Sequence, residues 1–168
     1  MAAVKAESPV DPTEAVWATL AQVPDPEIPV LNLVDLGIVR YVRWTDGPRV
    51  GLTPTYSGCP ATDVIRSSVK EALVRAGYEN VVVEDVLSPP WSSDWVTEDG
   101  RRKLEAFGIA PPAESVSSPR RLLSPLVIAC PRCGSRNTEK LSEFGSTPCK
   151  AHYRCVACLE PFDYFKCI

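Results

Sequence analysis

Apolar positions in the first hundred residues follow two rhythms, and each predicts its own kind of element. Asp11-Pro12-Thr13-Glu14 opens a helix: Asp11 can cap, Pro12 suits the first helical position, and Glu14 stands where a capping-box acid would. Trp17, Leu20 and Ala21 supply its apolar face, and Pro24 ends it. Residues 38–44 and 49–55 read as strands joined by Thr45-Asp46-Gly47-Pro48, since Asp-Gly between two β-rich runs signals a hairpin. Residues 61–76 predict a long helix with Val64, Ile65, Val69, Ala72, Leu73 and Ala76 on one face, and Gly77 stops it. Val81-Val82-Val83 begins a third strand before Ser88-Pro89-Pro90, and a short helix follows over 98–107. The fold class is α+β, a small sandwich with helices on one face of a sheet.

Beyond residue 109 the rhythm stops. Residues 110–124 hold three prolines and four serines with no periodicity and read as a linker. The expected division is a domain over 10–109, a linker over 110–124 and a second module over 125–168. The apolar runs are too short to span a membrane, and the first residues lack the apolar core of a signal peptide, so a cytoplasmic protein with no membrane partner is expected. A formal net charge of −3 argues against nucleic acid. Residues 125–168 are mildly basic, with six basic and four acidic side chains, too few for a phosphate-binding surface.

Composition changes the picture at one point. Six of the seven cysteines lie between Cys130 and Cys167, and in a reducing compartment such a cluster points to metal. Cys130-Pro-Arg-Cys133 and Cys155-Val-Ala-Cys158 form two Cys-x-x-Cys turns, each able to aim both sulfurs into one site. Gly134 allows the positive φ of such a knuckle. About forty residues build little apolar core, so the metal supplies much of the stability. A structural Zn2+ on these four thiolates is the first expectation, and the module is zinc-ribbon-like. Iron in a rubredoxin-like cage or an iron–sulfur cluster is the rival. Cys149 and Cys167 are surplus: they could be extra ligands but read rather as small buried residues, and His152, which could replace a ligand, reads rather as a lone exposed histidine.

Cys59 stands apart. It precedes Pro60 and the long helix, where the helix dipole and unpaired amides favour a thiolate. Far upstream, Asp25-Pro26-Glu27-Ile28-Pro29 is an acidic loop, because its prolines exclude helix and central strand. Three ordered motifs, Asp25 to Val30, Asp35-Leu36-Gly37-Ile38-Val39, and Thr53 to Pro60, resemble the domain of SufT-like iron–sulfur assembly factors over roughly residues 12–90. The stretch from Phe144 to Ala151 and the tail to Cys167 extend the similarity to the D-subunit family of the phenylacetyl-CoA epoxidase (ring-1,2-monooxygenase) system.

These resemblances imply a maturation role in aerobic phenylacetate degradation, without catalysis by this chain. Iron or an iron–sulfur cluster would be handled transiently by Asp25, Glu27 and Cys59, and the partners would be the epoxidase's catalytic or reductase subunits, with a homodimer possible. The residues agree in one respect: no nucleotide loop, di-iron Glu-x-x-His pair, flavin fingerprint or nucleophilic triad is present. The alternative is a structural subunit that docks through the ribbon and a surface around Trp91 and Trp95.

Overall fold

Residues 11–56, 58–113 and 127–166 are described by the structure, a computed structural model. Helix α1 (Pro12–Leu20) starts on Asp11, whose side chain accepts from the Thr13 amide at 2.9 Å. Leu20 is buried and Trp17 packs half-buried against the core as expected, joined by Val16, while Ala21 is the exposed C-cap. Helix α2 (Thr62–Arg75) buries Ile65, Val69 and Leu73. Val64 is exposed, because it lies about 100° around the helix from Ile65, and Ala76 has become the exposed C-cap. Together α1, α2 and the first strands enclose the larger apolar core.

Strands β1 (Val39–Trp44) and β2 (Pro48–Leu52) pair antiparallel through the Asp46-Gly47 turn. After α2 crosses over, β3 (Val82–Asp85) returns parallel to β2. β2 is shorter than expected, because Pro54 has no N–H for the ladder. Thr53 instead closes the corner: its amide bonds to the Ile38 carbonyl at 2.9 Å, and its hydroxyl donates to the Val86 carbonyl at 2.8 Å.

The second motif, Asp35 to Val39, is a structural device. Gly37 has φ +66°, and a Cβ there would stand 2.6 Å from Cβ of Trp95. Asp35 ties this corner to helix α3 (Glu98–Phe107), accepting from Lys103 Nζ at 2.7 Å while its carbonyl accepts from the Thr97 amide at 2.9 Å.

The C-terminal sheet has the order β4-β7-β6-β5. Strand β4 (Ile109–Ala110) runs straight from α3 into this sheet, parallel to β7 (Pro161–Phe165). Strands β5 (Thr138–Ser142), β6 (Lys150–Cys155) and β7 form an antiparallel meander. Its own core is small: Ala110, Ile128, Ala151, Tyr153, Phe162 and Tyr164 with two of the cysteines. Phe165 and Cys149, however, are buried in the larger N-terminal core.

Trp91 is the matching piece from the other side. It is 4% exposed, donates its indole N–H to the Leu36 carbonyl at 2.9 Å, and meets Phe165 with ring centroids 6.0 Å apart. Trp95 is half-buried beneath the Arg40 guanidinium. Of the two tryptophans named in the docking alternative, Trp91 is therefore no surface residue: it is spent inside the molecule, where an indole this large buries most of its area and still bonds its N–H. Residues 114–126, most of the expected linker, lie outside the described residues, as does Cys167.

Candidate functional site

The two knuckles are built alike. In the first, the Gly134 amide bonds to the Cys130 carbonyl and the Arg132 amide points at Cys130 Sγ, 3.4 Å away. In the second, the Cys158 amide approaches Cys155 Sγ at 3.5 Å. Both turn left-handed at the residue after the second cysteine: Gly134 has φ +72° and Leu159 has φ +66°. The Val156 amide bonds to the Asn137 carbonyl at 2.9 Å and holds the knuckles together.

Cys130, Cys133, Cys155 and Cys158 bring their sulfurs within 4.8 Å of one another. Sγ of Cys130 and Cys158 are 3.8 Å apart, and those of Cys133 and Cys155 are 3.6 Å apart. A tetrahedral metal with bonds of about 2.3 Å to sulfur requires edges of about 3.8 Å, which these two pairs match, and the other separations lie within about an ångström of it. Without it they compete for protons. Amides of Cys158 and Ala157 help lower Cys155 to about 6. Cys158, although the Glu160 amide favours its thiolate, is pushed up to about 12 by burial and by the other three sulfurs. A bound cation removes that conflict by letting all four ionise. His152 takes no part; it lies beside Asp163, Nδ1 to Oδ1 3.2 Å.

The second site is a cavity between the modules. Asp25, Glu27, Leu36, Ile38, Thr55, Cys59, Ile65, Cys149 and Phe165 line it, and its volume is about 30 Å³. That is room for one or two water molecules or one ion. The acidic loop is shaped by Asp25 itself, whose Oδ1 accepts from the Glu27 amide at 2.9 Å and the Ile28 amide at 2.8 Å. Cys59 arrives from the turn before α2, where its amide bonds to the Tyr56 carbonyl at 3.3 Å and its carbonyl accepts from Thr62. Gly58, at φ +83°, makes that turn possible. Arg66 and Asp85 close the rim, with Nη2 of the arginine donating to both carboxylate oxygens at 2.6 and 2.7 Å.

Asp25, Glu27 and Cys59 thus line one cavity, although their ligand atoms are not drawn as close as the four sulfurs are. Cys149 joins them, and the Tyr56 hydroxyl lies close to the same groups. Cys149, 4% exposed, comes from the residue just ahead of β6. The Tyr56 hydroxyl is enclosed with no hydrogen-bond partner among the described residues. Burial, then the neighbouring Cys59, Glu27 and Cys149, pushes that phenol up to about 12. Nothing local in the sequence marks Cys149; only the docking of the ribbon brings it here.

The cavity favours protonated acids. Burial is the main cause pushing Asp25 up, against the Ile28 and Glu27 amides and the charge of Lys150. Glu27 rises through burial and then through the charge of Asp25. A carboxyl raised on folding stabilises the native state fully below its unfolded pKa, and this contribution is lost as pH rises through the folded value. Asp25→Asn keeps an oxygen on both amides and removes the charge. In protein whose cavity is free of added metal, it should therefore raise stability at pH 7, with the difference vanishing toward pH 4. Urea unfolding at the two pH values checks this; a loss of stability at pH 7 would mean that the charge is favourable where it stands.

Comparison with known proteins gives two family matches in succession. Residues 13–84 match the family described as "Iron-sulfur cluster assembly protein", and residues 114–166 match "PaaD zinc beta ribbon domain". A curated protein of Escherichia coli (strain K12), named as the D subunit of a "Putative 1,2-phenylacetyl-CoA epoxidase", is 52% identical over 154 residues, covering 91% of this chain and 92% of its own. The crystal structure of a domain of unknown function, DUF59, from Bacillus anthracis aligns with 54% of this chain and 89% of its own at 29% identity, with a TM-score of 0.51.

Proposed function

The chain belongs to the D-subunit family of the phenylacetyl-CoA epoxidase, and from that premise we propose that it is a maturation factor which helps insert iron or an iron–sulfur cluster into a client subunit of the epoxidase. The observation that carries this reading is the cavity where Asp25 and Glu27 meet Cys59. Carboxylates are hard ligands and a thiolate is soft, so the set accepts iron without the depth of a four-thiolate cage. Loading displaces the thiol proton to solvent, and the cargo leaves when a client offers more ligands. The ion-sized volume supports iron as cargo more than a preformed cluster. The iron-sulfur assembly match over residues 13–84 agrees with an accessory, non-catalytic role.

The four-cysteine cage has a different task. Its ligands are closed and match a structural site, and zinc is the ion we assign to it. It holds the ribbon, and the ribbon closes one wall of the cavity.

The test is iron per client subunit, measured on catalytic and reductase subunits isolated from cells that carry each variant. Cys59→Ser should leave zinc content and thermal stability nearly unchanged, yet leave the client short of iron. Glu27→Gln should do the same more mildly. Normal iron loading with Cys59→Ser would end the carrier reading and leave a structural, docking subunit in its place.

A further inference from the structure

We infer that Cys149 is a second thiol ligand of the cavity site, so that the site is complete only when the ribbon is docked. This rests on the carrier reading above and deepens it. The site then takes a single thiophilic divalent cation between two thiols and two carboxylates, drawn from three separate segments of the chain.

Several independent observations converge. Cys149 belongs by sequence to the ribbon, yet it packs in the N-terminal core and not in the ribbon's own. It lines the same cavity as Cys59. Its position is fixed from behind: Thr147 Oγ1 lies 3.0 Å from its sulfur, and its carbonyl accepts from the Lys166 amide at 3.0 Å.

Asp25, 6% exposed, uses Oδ1 for both loop amides, so its carboxylate is fixed at the cavity wall by the loop that carries it. The Tyr56 hydroxyl is enclosed nearby, where Cys59, Glu27 and Cys149 all bear on it. Burial pushes the Cys149 thiol up, and the nearby Glu27 and Asp25 carboxylates add to this, against Thr147 and Lys150. The cavity therefore sets two thiols and two carboxylates around one space, where the charge of the buried Lys150 already bears on three of them, and a bound metal ion would draw their ligand atoms together. Two thiols also explain selectivity: carboxylates alone would accept magnesium or calcium, whereas paired sulfur favours iron, cobalt or zinc.

The test uses the full chain with zinc retained in its four-cysteine cage, titrated with Co2+ under reducing, oxygen-free conditions. Sulfur-to-cobalt charge-transfer absorption reports bound thiolates. Cys59→Ser and Cys149→Ser should each remove about half of that band, and the double variant all of it. Because Cys149 is buried, Cys149→Ala is made alongside, and unchanged zinc content and near-ultraviolet circular dichroism verify folding. X-ray absorption at the cobalt edge of the unaltered protein needs no variant and should count two sulfur neighbours. One sulfur neighbour, with a band insensitive to either Cys149 variant and abolished by Cys59→Ser, would overturn this inference and leave the carrier reading intact. No sulfur neighbour at all would overturn both.

Discussion

Removing the metal from the four-cysteine cage, by chelation or by Cys155→Ser, is expected to melt the whole C-terminal sheet. The reason is the size of what remains. Apart from two of the ligands, the ribbon's core holds six buried side chains, of which Ala110 and Ala151 bury little. By contrast, a structural zinc site is worth an apparent 10–16 kcal/mol at neutral pH, roughly the whole stability of an ordinary domain. Cys155 is fully buried, and serine offers a poorer ligand for the same ion. The melting should not stop at the ribbon. Phe165 and Cys149 leave the N-terminal core when their strands go, so the environment of Trp91 changes with them. Metal content, far-ultraviolet circular dichroism and tryptophan fluorescence should therefore fall in step at one metal equivalent. A metal-free protein that kept amide protection in β5–β7 would show that apolar packing alone holds the ribbon.

Much of this was legible from residues alone, for identifiable reasons. The cage was readable because Cys-x-x-Cys is a local geometry: the spacing fixes where two sulfurs can point, and the convergence of two such turns needs only a closing sheet. Helix α2 was readable because Ile65, Val69 and Leu73 repeat at its period. The edges of the apolar face were not, since Val64 turns away around the helix from Ile65 and Ala76 falls at the helix end. The acidic loop and Cys59 could be singled out by chemistry, but their sharing of a cavity is a property of the fold. The roles of Trp91, Phe165 and Cys149 were invisible for the same reason. Each makes its decisive contact with a residue more than fifty positions away or in the other module, and no periodicity encodes that.

Phe165 is where those distant contacts meet, and Phe165→Ala should be the most damaging change outside the cage. The side chain is 1% exposed, is the largest of the fully buried ones, and lines the cavity while facing Trp91. Truncating a buried phenylalanine costs about 3–5 kcal/mol, the upper end where the surroundings cannot collapse. Here one neighbour is a large indole pinned through its N–H to the Leu36 carbonyl, so collapse is restricted. The cage lies on the ribbon's other core, with Tyr153 and Phe162, and should keep its metal. The expected pattern is therefore split: lower resistance to urea, normal zinc content, and weaker binding of Co2+ in the cavity, because the wall that carries Cys149 has lost its anchor. Phe165→Leu refills part of the space and should recover most of the stability and the cobalt binding together. Phe162→Ala provides the contrast, since it weakens the ribbon's core without touching the cavity wall. Equal effects of Phe165→Ala and Phe162→Ala on cobalt binding would mean that the cavity senses ribbon stability as a whole, and not the packing of Phe165 on Trp91.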